Sequence, residues 1–507
     1  MFYQVNLAVL ATGSAYLLYK QWKVQPREPA PVPLLQHRDV QDPESLPSAT
    51  AAASKFKYDF FVAYALAVAA DWLQGPYIYA VYKYEKRLPE RHVALLYATG
   101  FAAGALSAGV AGALADRHGR RAACLAYCFA YAAACLSVLW GGGGGGGGGG
   151  DLVVLLLGRV AGGVGTTLLC SAFEAWMVSE HRALGDGARA LLPLADVLRA
   201  MTALSCVVAI VSGIAGDVLV SAMGGARTWP FVAGVGSCAA AACFMLRNWR
   251  ENYGTAPASS SGSALGSVTG GLSVMVRDAN MFTLGLTTCF FEGSMYLFIF
   301  FWSPALKSAR DRVSTGGDRA ATELPFGLIF SSFMCCMMAG SALSGHATAG
   351  GRREAAAAVL AAAVVGVSAC LSAAVVAAGR EWLLFWVFCV VEACVGAYFP
   401  SMGLLKSEAV EDGVRGRVYS VMRFPLNAFV VVAHALDEEG GLSSSSGGGG
   451  GDKEMVLETL PLPLSLPTPS PHLAEARTDL GRNTDERSSV PQVTCTALES
   501  LPRARRS

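Results

Sequence analysis

The chain has 507 residues, 53% of them apolar (the AVILMFWYC set) and only 15% Asp, Glu, Lys or Arg, against about 25% charged residues in a typical soluble domain. Mean hydropathy is +0.42, although residues 20–57 and 437–507 are plainly polar, and the formal net charge is +1. These values exclude an ordinary soluble enzyme, a disordered scaffold and a nucleic-acid binder, which needs a basic excess. The expected surrounding is a lipid bilayer.

Twelve stretches approach the ~20 mostly apolar residues that a spanning helix needs: 2–19, 58–82, 93–114, 122–140, 152–178, 194–222, 229–246, 279–302, 324–344, 355–378, 382–405 and 418–436. The first opens at Met1 without a preceding basic residue and is followed by Lys20 and Lys23. It reads as an uncleaved anchor with its N-terminus outside rather than a signal peptide. The other eleven divide into six and five around the polar stretch 247–278. Placing the loop Asp116–Arg121 in the cytosol puts 19 Lys and Arg in the cytosolic connections and 10 in the opposite ones, which fixes the orientation by the positive-inside rule.

The expected organisation is an anchor helix and cytosolic linker (1–57), a six-helix bundle (58–246), a cytosolic central loop (247–278), a five-helix bundle (279–436) and a low-complexity tail (437–507). That tail has no apolar run of spanning length, so a twelfth core helix is missing from the pattern. The run Gly141–Gly150 satisfies GxGxxG trivially, but no strand precedes it, so it reads as an insertion in an external loop. Thirteen of the fourteen cysteines lie in apolar segments and only Cys495 in a tail. Small apolar packing explains the Cys124/Cys128 and Cys335/Cys336 pairs better than a soft metal. No metal, cofactor or catalytic residue is expected.

Between the spans 93–114 and 122–140 stands Gly112-Ala-Leu-Ala-Asp116-Arg117-His-Gly119-Arg120-Arg121. Gly112 permits close backbone approach, Gly119 supplies a tight turn, Asp116 can face a helix N-terminus, and Arg117, Arg120 and Arg121 stay cytosolic. The run resembles the signature loop of the major facilitator superfamily, and by that resemblance it latches a cytosolic gate. Internal repeats agree with two related bundles. Phe61 and Asp71 parallel Phe282 and Glu292; Arg159-x-x-x-Gly163 parallels Glu392-x-x-x-Gly396; Arg199 and Arg423 open similar strings.

An ionisable residue in mid-span is expensive and is a functional candidate. Asp71, Arg159, Glu292 and Glu392 lie near the middle of core spans 1, 4, 7 and 10. Arg199 and Arg423 enter spans 5 and 11 near the cytosol, and Glu174 and Asp217 lie near helix ends. Arg159, Arg199 and Arg423 suit an anionic substrate, because guanidinium forks match tetrahedral oxyanions. Asp71, Glu292, Glu392 and Glu174 fit proton coupling or ion pairing, for example of Asp71 with Arg159. A cationic substrate would be read by the same acids, and residue chemistry leaves that choice open.

The strings at 70–77, 158–163, 171–176, 247–253, 330–334 and 398–402 (ADWLQGPY, GRVAGG, SAFEAW, RNWRENY, FSSFM and YFPSM) resemble the molybdate-anion transporter family of the same superfamily over roughly residues 55–436. The resemblance implies an all-α two-bundle fold and high-affinity molybdate uptake across the plasma membrane by a secondary, possibly proton-coupled transporter. It also implies no ATP hydrolysis, in keeping with the lack of a Walker A motif. The decaglycine, the missing twelfth core helix and the tail depart from the family. Two alternatives stand beside this reading: a non-transporting receptor or scaffold of the same fold, and a transporter of another small solute. Oligomeric state is not legible.

Overall fold

The structure, a computed structural model, describes residues 1–24, 45–140, 149–254, 278–313, 324–348 and 353–409, with 425–426, 429–430 and 432–433. Every regular element among them is helical. α1 is Phe2–Val24. α2 is Ser45–Gln74, continued by a 3-10 turn Gly75–Tyr77, a helical turn Ile78–Ala80 and a π-helical turn Val81–Glu85. Then come α3 (Glu90–His118), α4 (Arg120–Trp140), α5 (Gly149–Ala183), the short α6 (Asp186–Leu191), α7 (Leu194–Ala222) and α8 (Trp229–Asn248). The second half supplies α9 (Ala279–Val313), α10 (Phe326–Ala347), α11 (Arg353–Ala377) and α12 (Glu381–Ala409).

By length and composition eight of the described helices can cross a membrane, α4, α5 and α7 to α12. α3 makes a ninth if its two arms, bent by 55° between Ala108 and Val110, count as one span. Ser107 sits beside that bend and donates its hydroxyl to the Gly104 carbonyl at 3.1 Å, a local bond that competes with the helical ladder. α1 covers the expected stretch 2–19, and α2 with the short helical turns that continue it covers 58–82; neither is among the eight. The stretch 418–436, Arg423 with it, and the tail 437–507 lie outside the described residues except for the six named above.

One boundary moves. α2 starts at Ser45, so the expected linker 20–57 is helical over its last part. Alanine-rich sequence favours that helix, and its buried Ala53 and Phe56 give it a packing face. The Phe56 ring meets His181 at the end of α5, centroids 5.9 Å apart.

The N-terminal bundle is built from α2 through α8: α3 and α4 each pack along α5, α8 along α2 and α4, and α7 along α2. In the second half α12 is the central helix, packed against α9, α10 and α11. The proposed repeat shows in the backbone crossings. A Cβ on Gly163 of α5 would fall 2.3 Å from the Gly100 carbonyl of α3, and one on Gly396 of α12 would fall 1.9 Å from the Met337 carbonyl of α10. Small residues let membrane helices approach this closely, and here they stand at equivalent places in both halves.

The bundles meet along α7 and α10, where a Cβ on Gly327 would fall 2.1 Å from the Gly213 carbonyl and Ser331 donates to the Ile210 carbonyl at 2.9 Å. Elsewhere between the halves Lys307 of α9 lies 5.1 Å from the Tyr84 ring centroid and Arg227 lies 5.7 Å from that of Phe326, while Phe300 meets Tyr79 and Tyr97 edge-on.

α1 packs along α10. Its Ser14 hydroxyl donates to the Cys335 carbonyl at 2.8 Å, and Tyr3 donates to Glu381 at the start of α12. Arg310 at the end of α9 grips the same carboxylate, with Nη2 to Oε1 at 2.9 Å and Nε to Oε2 at 3.1 Å. The first helix in the sequence is therefore docked on the second half of the molecule.

Candidate functional site

A cavity of about 290 Å³ lies among α2, α3, α4 and α5, closed on one side by Tyr296 and Ile299 of α9 and by Leu426. Arg159 of α5 and Asp71 of α2 both line it. The Arg159 Nε donates to the Leu96 carbonyl at 3.2 Å, and its Cζ stands 5.3 Å from the Tyr97 ring centroid, within cation–π range. Gly100 makes this seat possible, since a Cβ there would lie 2.7 Å from an Arg159 Nη. Among the described residues no carboxylate lies within ion-pair distance of Arg159. One nitrogen is thus anchored by backbone, an aromatic face supports the plane, and the Nη groups remain for a ligand.

Asp71 is engaged elsewhere. Tyr131 of α4 donates its hydroxyl to Asp71 Oδ1, and Gln74 Nε2 donates to the Tyr131 oxygen at 2.6 Å. The ion pair of Asp71 with Arg159 weighed from sequence is replaced by a Gln74–Tyr131–Asp71 chain. Thr167, which accepts from Ser107 at 2.9 Å, and Cys170 continue the α5 face of the cavity. Glu174, exposed, lies one turn beyond Cys170 along α5.

The acids of the second half do not line this cavity. Glu292 accepts from the Tyr398 hydroxyl at 3.0 Å and stands 3.9 Å from Lys406 Nζ, both on α12. Glu392 is only 6% exposed. Arg199 is on the exposed first turns of α7, paired with Asp196 three residues earlier. Arg423 is outside the described residues.

The glycine–arginine loop is built in detail. α3 ends at His118 and α4 starts at Arg120, with Gly119 between them at φ +110°, a backbone conformation suited to glycine. Asp116 pairs with Arg120, Oδ1 to Nη2 at 2.7 Å. The α4 N-terminus is capped by another acid: Glu251, in the segment after α8, accepts from the backbone N–H of Arg121 at 2.8 Å and of Ala122 at 3.1 Å. The same segment forms two backbone bonds to the loop, Arg120 N–H to the Asn252 carbonyl at 2.9 Å and Gly254 N–H to the Asp116 carbonyl at 3.1 Å. Arg121 donates back to the Trp249 carbonyl at 2.8 Å, and Trp249 stacks on Trp176 of α5, ring centroids 3.6 Å apart. Arg117 sits in the last turn of α3, and nothing lies within 4 Å of a Cβ placed on Gly112.

Sequence reasoning missed Tyr82, Tyr97, Gly100, Tyr131, Lys406 and Glu251. Only Lys406 carried a usable signal, a basic residue near the cytosolic end of a span facing an acid on another.

Residues 36–402 match the family model described as sugar transporters with twelve transmembrane helices. The molybdate-anion transporter of Xenopus tropicalis is 32% identical over 399 residues, covering 77% of this chain and 81% of that protein. The molybdate-anion transporter of Danio rerio is 30% identical over 413 residues, covering 75% and 78%. Among solved structures, a mutant of the nucleoside transporter NupG has a TM-score of 0.61 at 10% identity, covering 80% of this chain and 95% of that one. At such low identity the likeness concerns the fold.

Proposed function

This chain belongs to the molybdate-anion transporter family of the major facilitator superfamily, and from that premise we propose that it carries molybdate into the cell across the plasma membrane as a high-affinity secondary transporter. That it is a multi-pass membrane transporter follows from the family and the fold. The substrate is the further step, and one observation carries it. Arg159 presents a guanidinium in a cavity reached by both halves, anchored by the Leu96 carbonyl, and no carboxylate among the described residues stands within ion-pair distance of it. A tetrahedral dianion in a poorly hydrated cavity needs fixed positive charge, and a guanidinium fork supplies it with geometry.

In this reading the anion enters from outside, binds Arg159 between the halves, and leaves when the halves rock apart on the cytosolic side. The loop 112–121, tied through Glu251 and Asn252 to the end of α8, moves as part of the first bundle and forms its cytosolic latch. Arg199, exposed beside Asp196, serves the cytosolic mouth rather than the binding step. Coupling to protons falls to carboxyls that change partners: Glu392, buried in α12, and Glu292, held by Tyr398 and Lys406.

Uptake of radiolabelled molybdate by cells expressing the chain, with sulfate as competitor, tests the proposal. Accumulation above vector, with equal surface protein, supports it. No accumulation despite surface expression removes it in favour of a receptor or a different solute. The Gln74–Tyr131–Asp71 chain favours one such solute, a neutral polyol that accepts from the amide and donates to the carboxylate; labelled hexose in the same cells distinguishes it.

A further inference from the structure

Tyr82 is the second residue of the π-helical turn Val81–Glu85 that follows α2 and its two short helical turns. Its side chain is 0% exposed, it lines the Arg159 cavity, and its hydroxyl makes no well-formed hydrogen bond among the described residues. The Arg159 guanidinium lies beside the phenol oxygen and can donate to it, which leaves the phenol proton without an acceptor. Buried hydroxyls without partners are rare in native interiors, because such a group gives up its bonds to water and receives nothing in exchange. The neighbouring phenol shows the contrast: Tyr131, in the same cavity, donates to Asp71 and accepts from Gln74.

We infer that the Tyr82 hydroxyl donates a hydrogen bond to an oxygen of the tetrahedral oxyanion held by Arg159, making it a specificity-determining donor of the site. The inference rests on the reading of this cavity as the anion site. A fully deprotonated tetrahedral anion presents oxygens that only accept. The guanidinium Nη groups serve two of them, and the Tyr82 hydroxyl beside them, from the π-helical turn that follows α2, serves a third. A phenol adds no charge to a site that already contains Arg159, and its proton finds an acceptor only when the anion is present.

The test is Tyr82→Phe in the purified full-length chain, with melting temperature and binding isotherms measured for molybdate, tungstate and sulfate. The hydroxyl proton has no acceptor in the substrate-free fold, so the variant should melt close to the wild-type temperature without anion. Its affinity for molybdate should fall about tenfold to a hundredfold, the worth of a hydrogen bond to a charged partner. Unchanged affinity overturns the inference. So does a variant that melts lower without anion or fails to reach the membrane, because the hydroxyl then serves the fold. If wild type binds tungstate or sulfate but not molybdate, and Tyr82→Phe weakens that binding, the substrate assignment falls while the role of Tyr82 stands. If wild type binds none of the three anions, both fall.

Discussion

The backbone of Gly100 in α3 forms the floor under the guanidinium of Arg159 in α5, with room for a hydrogen atom and not for a methyl group, which would come within 2.7 Å of an Nη. Gly163, one turn along α5 from Arg159, touches the Gly100 carbonyl from the other side. The same crossing therefore holds the two helices together and sets the position of the charge.

These two contacts separate by substitution. Gly100→Ala meets the movable end of a side chain, so the helices should stay packed while the guanidinium leaves Tyr97 and the Leu96 carbonyl. Molybdate uptake should fall more than about tenfold with surface protein unchanged. Gly163→Ala meets backbone, so α3 and α5 must part. That variant should lose about 1–3 kcal/mol of stability, read as a lower melting temperature. Normal uptake by Gly100→Ala would detach the Arg159 seat from transport.

Arg159→Ala should abolish uptake without loss of surface protein, because no other basic residue among the described ones lines the cavity. Arg159→Lys should rescue poorly, since an ammonium can keep the charge but loses the Nε bond to Leu96 and the planar fork. Full rescue by lysine in a labelled-molybdate assay would show that charge alone suffices.

If carboxyls carry protons in symport, uptake should fall as external pH rises, since fewer carboxyls are then loaded from outside. Glu292→Gln and Glu392→Gln should each flatten that profile, because glutamine cannot release a proton. A wild-type rate independent of pH would sink symport and leave uniport or another coupling ion.

Glu251→Ala removes the acceptor from two N–H groups at the start of α4 and from the positive end of its dipole. It should cost about 1–2 kcal/mol, seen as a lower melting temperature, with Arg159-dependent anion binding preserved. Gly119→Ala should cost more, because it strains a φ of +110° and drives a methyl group to 2.5 Å from the same carboxylate.

Tyr3→Phe should loosen α1 from α12 by removing the bond to Glu381. Limited proteolysis of the N-terminal segment should speed up, and an epitope ahead of Met1 should be accessible on intact cells. An epitope seen only after permeabilisation would reverse the orientation of α1.

Much of the architecture was legible because bilayer thickness imposes a length on every span, and apolar runs of that length leave few choices. The charge of Arg159 was legible for the same reason, since an arginine among Val, Leu and Gly is conspicuous. Its seat was not, because Gly100 and Tyr97 look like ordinary membrane-helix residues and lie more than fifty positions away. On charge alone Asp71 fits proton coupling or a pair with Arg159; its bond to Tyr131 comes from the approach of α2 to α4, which no spacing in the sequence reveals. The Asp196/Arg199 pair, at i,i+3 spacing, was present in the sequence and was overlooked because arginine near a span drew attention to the substrate. Glu251 escaped because the helix it caps begins some 130 residues earlier.

The docking of α1 has a consequence for how the protein is made. The partner of Tyr3 is 378 residues downstream and that of Ser14 is 321. At translation rates of about 5–20 residues per second, the first helix waits on the order of 20 to 75 s for the helices it packs against. During that interval its polar groups at Tyr3 and Ser14 have no native acceptors, and it competes for other surfaces in the endoplasmic reticulum or its equivalent. Maturation of the two halves is thereby linked: a ribosome that stalls before α10 leaves not only an unfinished second bundle but an unsettled first helix, a ready mark for quality control.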